Sequence, residues 1–173
     1  MNKRRADIDY SLYLVTDREM AGERGLADIV LDAVRGGVTV VQLREKTLET
    51  GEFLRTAIEL KEILAPFQIP LIINDRIDIA LAVQAHGVHL GQKDIPLDLA
   101  RKILGEDYII GVSVSSVQEA IEAERGGADY IAISPIWSTP SKTDTPPEVG
   151  IDGAREICRA VSIPLVGIGG INY

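Results

Sequence analysis

Seven short β-rich runs recur along the chain with helical stretches between them, and this alternation limits the fold more than any other feature. The runs are "LYLVT", "VTVVQL", "PLIIN", "GVHLG", "YIIGVSV", "DYIAISPI" and "PLVGIGG". Among the stretches between them are "GLADIVLDAVRGG", "EFLRTAIELKEILA" and "SVQEAIEAERGG". Leu26, Ile29, Val30 and Ala33 make one apolar stripe at helical spacing, and Val117, Ala120, Ile121 and Ala123 make another. Both of those stretches end in a glycine pair, Gly36–Gly37 and Gly126–Gly127, which suits a left-handed helix stop running straight into a strand. The echo of "RGGVTVVQL" in "RGGADYIAI" implies a repeated unit of about two dozen residues, the size of one compact βα step. Strands this apolar, joined through helices, imply a parallel sheet covered by helices.

A doubly wound sheet and a closed barrel both satisfy that pattern. Regular spacing, with polar residues at strand C-termini all along the chain, favours a (β/α)8 TIM barrel formed by one domain over residues 1–173. The chain is 46% hydrophobic, enough for a full core, and carries a net charge of −8, which argues against nucleic-acid binding. Its single cysteine, Cys158, excludes an internal disulfide framework and is expected to be a buried helical thiol. No stretch approaches the roughly 20 apolar residues of a membrane span, so a cytoplasmic enzyme or binding protein is expected.

In a barrel of this kind the reactive groups sit on the loops after the strands. The second strand ends in "QLREK". Alternation places Gln42, Arg44 and Lys46 on one side, and clustered cations need an anionic partner. The third strand ends at Asn74 and Asp75, and Asp94 follows the fourth. Ser113 lies on the fifth. The polar, proline-rich stretch "STPSKTDTPP" after the sixth is expected to be a mobile lid and holds Thr139, Ser141 and Lys142. "GIGG" closes the seventh. Taken singly, Asp75 reads best as a helix N-cap, and Asp94 could cap the helix starting near Pro96. His89 reads as a structural histidine, and Trp137 as a lid or packing residue. Taken together, the groups complement one another. Arg44, Lys46 and Lys142 supply positive charge, while Asp75 and Asp94 are hard oxygen ligands of the kind that hold Mg2+ against phosphate oxygens. Thr139 and Ser141, with the Gly169–Gly170 amides, could hold a separate phosphate. Two phosphorylated ligands are implied, one of them a metal diphosphate.

"QLREK", "NDR", "HLGQKD", "GVS", "SPIWSTPSK" and "GIGGI" follow the order and spacing of thiamine-phosphate synthase, and the chain resembles that family from Leu12 to Ile171. The resemblance implies a transferase of thiamine biosynthesis. Such an enzyme joins 4-amino-2-methyl-5-hydroxymethylpyrimidine diphosphate to thiazole phosphate and releases pyrophosphate, with Mg2+ as cofactor. By this likeness Gln42 would contact the pyrimidine, and Arg44, Lys46, Asn74, Ser113 and Lys142 the diphosphate, with Arg44, Ser113 and Lys142 catalytic. Asp75 and Asp94 would hold Mg2+, and Thr139, Ser141 and Gly170 the thiazole phosphate. The chemistry would be dissociative and needs no general base.

The chain departs from the family pattern at Ser134 and Ser138, at Ser141 where Thr is frequent, and at Arg76 where some members carry an acid. Ser115 stands where histidine is common. A thiazole tautomerase-like isomerase wants that histidine, so the synthase is the favoured reading. A non-catalytic barrel that binds a thiamine intermediate and a phosphate-sugar isomerase are weaker rivals. The family pattern also runs on past the seventh strand through an eighth strand and a final helix, whereas this chain stops at Tyr173. A polypeptide of that length is expected to keep the diphosphate site, bind thiazole phosphate poorly and self-associate into a homo-oligomer or aggregate through its open edges.

Overall fold

The computed structural model describes residues 8–139 and 146–172. Most of the expected lid, with Ser141 and Lys142, therefore lies outside the described residues. The described chain divides into two compact units.

The first unit takes the described part of residues 1–89 together with residues 104–109. It carries β1 (Tyr13–Val15), α1 (Arg18–Ala21), α2 (Leu26–Arg35), β2 (Val40–Leu43), α3 (Thr50–Leu64), β3 (Leu71–Asn74), α4 (Ile77–Val83) and most of β4 (Gly87–Leu90). The strands run parallel and pair in chain order, with Tyr13 beside Val40, Val41 beside Leu71 and Asn74 beside His89. Every residue of β2 and β3 is buried, as expected of parallel strands covered on both faces. Helix α3 supplies cover by turning Phe53, Ala57, Leu60 and Leu64 inward at helical spacing. In α2 the buried residues are Val30 and Val34, so the inward face lies slightly beyond the stripe expected from Leu26, Ile29, Val30 and Ala33.

The glycine pair after α2 works as anticipated. Gly37 takes the left-handed conformation at φ 98°. Its N–H donates to Val34 O at 3.0 Å while Val38 N–H donates to Ala33 O at 3.1 Å, the paired bonds of a Schellman stop.

The second unit takes residues 90–103 with the described part of 110–173. It carries α5 (Leu97–Leu104), β5 (Ile109–Val114), α6 (Val117–Arg125), β6 (Tyr130–Ile133), α7 (Gly150–Ala160) and β7 (Leu165–Gly167), apart from the residues Leu104 and Ile109 at the boundary. Strands β5, β6 and β7 are parallel and adjacent in that order. Helix α6 is stopped by the same device, with Gly127 at φ 86° and Ala128 N–H donating to Ala123 O at 3.0 Å. At its start the Ser116 hydroxyl accepts from Glu119 N–H at 3.2 Å, and Glu119 Oε2 accepts from Ser115 N–H at 2.6 Å. The first bond satisfies a donor that the opening helical turn leaves free, and the second ties the residue before the cap back onto the helix.

At the N-terminal ends of β5 and β6, Asp129 Oδ2 accepts from Ile110 N–H at 2.8 Å and from Arg101 Nη2 at 2.6 Å. This polar clamp sits at the opposite end of those strands from Ser113. The expectation for Cys158 is corrected: its thiol is exposed. Helix α7 buries its neighbour Ile157 instead, and the step of about 100° between successive helical residues carries Cys158 out of that inward stripe.

Candidate active site

In the first unit the polar residues of β2 and β3 form one group. Gln42 is buried within β2, and its Nε2 donates to the Tyr13 hydroxyl at 2.9 Å, which fixes the amide. Just past the strand, Arg44 and Lys46 both find acids in this chain. Lys46 Nζ meets Asp75 Oδ2 at 2.5 Å, and Arg44 Nη1 lies 3.7 Å from Asp17 Oδ2. The expectation that these cations need an anion from outside the chain is therefore corrected. Each has an internal counter-ion that an arriving anion would have to share.

Asn74 ends β3 almost fully buried, and its Nδ2 has no hydrogen-bond partner. An unsatisfied buried donor costs about 1–3 kcal/mol, so its retention points to a ligand acceptor. The next residue, Asp75, is held at φ 61°. Its N–H donates to His89 O at 2.9 Å, and Arg76 N–H donates back to Asn74 O at 2.7 Å, closing a γ-turn around Asp75. The N-cap of α4 is Arg76, which makes no side-chain cap, so Asp75 does not serve as the cap its sequence context favours. A left-handed non-glycine residue at a strand end is stored strain of the kind that gathers at functional sites.

Arg76 is turned aside by Asp78, with Nε–Oδ1 at 2.8 Å and Nη2–Oδ2 at 2.6 Å. The Arg76 hydrogen bonds hold the Asp78 carboxyl below its ordinary value. A folded-state value below the unfolded one gives stabilisation that is present at neutral pH and lost as pH falls through the folded value. Asp78 is well exposed, so the gain is small, about 0.5 kcal/mol. Asp78→Asn is expected to flatten the acid limb of the stability curve by that amount and leave neutral-pH activity unchanged, measured by urea unfolding at stepped pH.

In the second unit the group begins after β4. Asp94 Oδ2 accepts from Gly91 N–H at 2.6 Å and Asp94 N–H donates to Gly91 O at 3.2 Å, closing a tight turn. Helix α5 opens on Pro96, whose carbonyl accepts from Leu99 and Ala100 N–H at 3.0 and 2.9 Å. Gln92 Nε2 ties this turn to the Ser113 carbonyl at 2.7 Å. Ser113 itself is half-buried near the end of β5. The chain leaving β6 runs beside the chain leaving β7, with Ile136 N–H on Ile168 O at 2.8 Å and Trp137 N–H on Gly169 O at 3.0 Å. Gly169 and Gly170 have φ 101° and 63°, and a Cβ on Gly170 would lie 2.6 Å from Ser138 O. Two glycines are thus required for this close backbone approach. Thr139 is half-buried at the edge of the segment, and Trp137 is exposed.

Asp75 in the first unit and Asp94 in the second are each a hard carboxylate held on a hydrogen-bonded turn, the ligand type Mg2+ takes, and Asn74 Nδ2 in the first unit is a buried unsatisfied donor suited to a phosphate oxygen. Among the described residues no group of three or more His, Cys, Asp or Glu side chains could hold a metal unaided, so ligand oxygens would have to complete the shell.

Residues absent from the sequence-level site are Tyr13, Thr16, Asp17, Arg18 and Glu45 in the first unit and Gln92 in the second. The strand-end rule applied to the first strand as well would have picked out Thr16, Asp17 and Arg18.

The family model described as thiamine monophosphate synthase matches residues 12–173. The chain belongs to that family. It is 52% identical over 166 residues to the thiamine-phosphate synthase of Clostridium novyi (strain NT), covering 96% of this chain and 81% of that one. It is 54% identical to the thiamine-phosphate synthase of Clostridium botulinum (strain Loch Maree / Type A3), with the same coverage. Among solved structures it resembles the thiamine phosphate pyrophosphorylase of Pyrococcus furiosus, with a TM-score of 0.84 and 38% identity, covering 93% of this chain and 75% of that one. The fold is thus α/β of the (β/α)8 class, with seven of its strands among the described residues.

Proposed function

We propose that this member of the thiamine monophosphate synthase family makes thiamine phosphate from the pyrimidine diphosphate and thiazole phosphate, releasing pyrophosphate. The match over residues 12–173, at more than half identity to named synthases, carries this reading. The buried unpartnered Asn74 amide supports it, because a diphosphate oxygen is the kind of acceptor it lacks.

Gln42, held by Tyr13, orients the pyrimidine. Arg44, Lys46, Asn74 and Ser113 hold the diphosphate and draw off its charge as the carbon–oxygen bond breaks. The aminopyrimidine stabilises the resulting methylene cation, and the thiazole nitrogen attacks it with its own lone pair. The chain's contribution is therefore electrostatic stabilisation and orientation rather than proton transfer. Asp75 and Asp94 would hold Mg2+, which supplies further charge neutralisation at the leaving group. Thr139, Ser141 and Gly170 would hold the thiazole phosphate. A tautomerase reading gains nothing here, since Ser115 offers no imidazole and its hydroxyl donates to Glu119 at 3.0 Å. No helix among the described residues is long and apolar enough to cross a membrane, and we place the enzyme in the cytoplasm acting on small molecules without nucleic acid.

The test is direct. The full-length protein with both substrates and Mg2+ is expected to release pyrophosphate and thiamine phosphate in equal amounts; release of neither overturns the assignment. Lys142→Ala is expected to slow the chemical step by about 10²-fold, the scale of losing one electrostatic stabiliser, with little change in substrate affinity. Single-turnover kinetics separate the two, and weaker affinity with an intact chemical step would assign Lys142 to uniform binding.

A further inference from the structure

Glu45 sits between the two cations Arg44 and Lys46, and its side chain is only 2% exposed. A buried carboxylate beside an anion site is unfavourable twice over: it loses hydration, and it repels the ligand. Arg18 answers both problems. Its Nε donates to both Glu45 oxygens at 3.1 Å and its Nη2 to Oε1 at 2.6 Å. A two-pronged contact of this kind is strong and geometrically specific.

The pair belongs to a larger interlock in which three successive residues after β1 grip the chain leaving β2. Thr16 N–H donates to Gln42 O at 2.9 Å, and Thr16 Oγ accepts from Arg44 N–H at 3.0 Å. Asp17 Oδ1 accepts from Glu19 and Met20 N–H at 3.0 and 3.1 Å, while Oδ2 faces Arg44. Arg18 then takes Glu45. On the other side Lys46 reaches Asp75, on the loop after β3. Glu45 and Lys46 are therefore drawn to opposite neighbours, which fixes the backbone between them.

We propose that Arg18 and Glu45 are a positioning pair for the diphosphate site: Glu45 anchors the segment that presents Arg44 and Lys46, and Arg18 cancels the charge that would otherwise offset those cations. The inference rests on the diphosphate reading of Arg44 and Lys46. A plain structural staple would predict that any substitution weakening the pair lowers stability alone. The proposal predicts a dependence on charge.

The experiment uses the full-length protein and inorganic pyrophosphate as probe, followed by calorimetry, with steady-state kinetics alongside. Arg18→Gln keeps a donor but removes the positive charge that faces the Glu45 carboxylate. It is expected to weaken pyrophosphate binding and raise KM for the pyrimidine diphosphate by about tenfold or more, equivalent to about 1.4 kcal/mol, with KM for thiazole phosphate unchanged. Arg18→Lys keeps the charge and should stay within about threefold of the parent. Adding Glu45→Gln to Arg18→Gln should restore most of the lost pyrophosphate affinity. Equal behaviour of the Lys and Gln variants, or a double variant no better than Arg18→Gln, overturns the proposal. Calorimetry also separates it from the assigned activity. A protein that makes no thiamine phosphate yet shows this binding pattern refutes the synthase reading and keeps the pair.

Discussion

Asp75→Gly is expected to lower turnover by about 10²–10³-fold while leaving Tm unchanged or raised, because on the proposed reading one residue carries a Mg2+-holding carboxylate on a backbone the fold does not favour. Asp75 sits at φ 61° inside a γ-turn. Holding a side chain in that region costs on the order of 1 kcal/mol, and glycine adopts it freely. Loss of the Lys46 contact subtracts little, since that lysine is half exposed. Asp75→Asn isolates the charge, for Asn also tolerates the left-handed region. Asp94→Asn is its counterpart, keeping an oxygen to accept the Gly91 N–H. All three variants should demand much more Mg2+, followed as pyrophosphate release across a metal titration with Tm from calorimetry. An unchanged metal midpoint in all three would reduce both acids to turn residues. A large fall in Tm for Asp75→Gly would sink the idea that strain is stored there.

The contrast between that turn and its sequence shows where reading stops. "NDR" ahead of a helix looks like an N-cap, because local preference is all that adjacent residues reveal. The left-handed conformation comes instead from the His89 carbonyl, which takes the Asp75 amide from the neighbouring strand. The strands and Schellman stops were legible because both depend on contiguous residues. Gly37 and Gly127 repeat one motif with one geometry. The Thr16–Asp17–Arg18 grip on β2 was not legible, for Arg18 and Glu45 lie 27 residues apart and meet only through parallel pairing of β1 with β2. The same pairing brings Asp17 to Arg44, and pairing of β2 with β3 brings Asp75 to Lys46, so the sign and place of the cluster could be read but not its counter-ions. Cys158 fails for a simpler reason: in "REICRA" Ile157 takes the inward position on the helix, and Cys158, about 100° further round, is exposed.

Gly111→Ala is expected to destabilise the protein by about 3 kcal/mol, the upper range for overpacking a close-packed core. At about 2–4 °C per kcal/mol for a chain of this size, Tm should fall by roughly 6–12 °C. Gly111 is the register partner of Tyr130 across β5 and β6, and that fully buried ring lies over the glycine, where an added Cβ would overlap it. The ring cannot yield, because its surroundings are packed and strand pairing fixes its Cα. Tyr130→Val alone removes the ring and should cost about 3–5 kcal/mol, as other large-to-small core changes do. In the double variant the new methyl enters space the ring has left. Its destabilisation should therefore fall short of the summed singles by about 1–3 kcal/mol, the coupling expected of residues in contact. Urea unfolding of the four proteins measures this. Simple additivity would mean that glycine is kept for its backbone and not for the room it gives the ring. Because Ser113 lies two residues along the same strand, pyrophosphate release near the parental rate from the double variant would also show that β5 had regained its register.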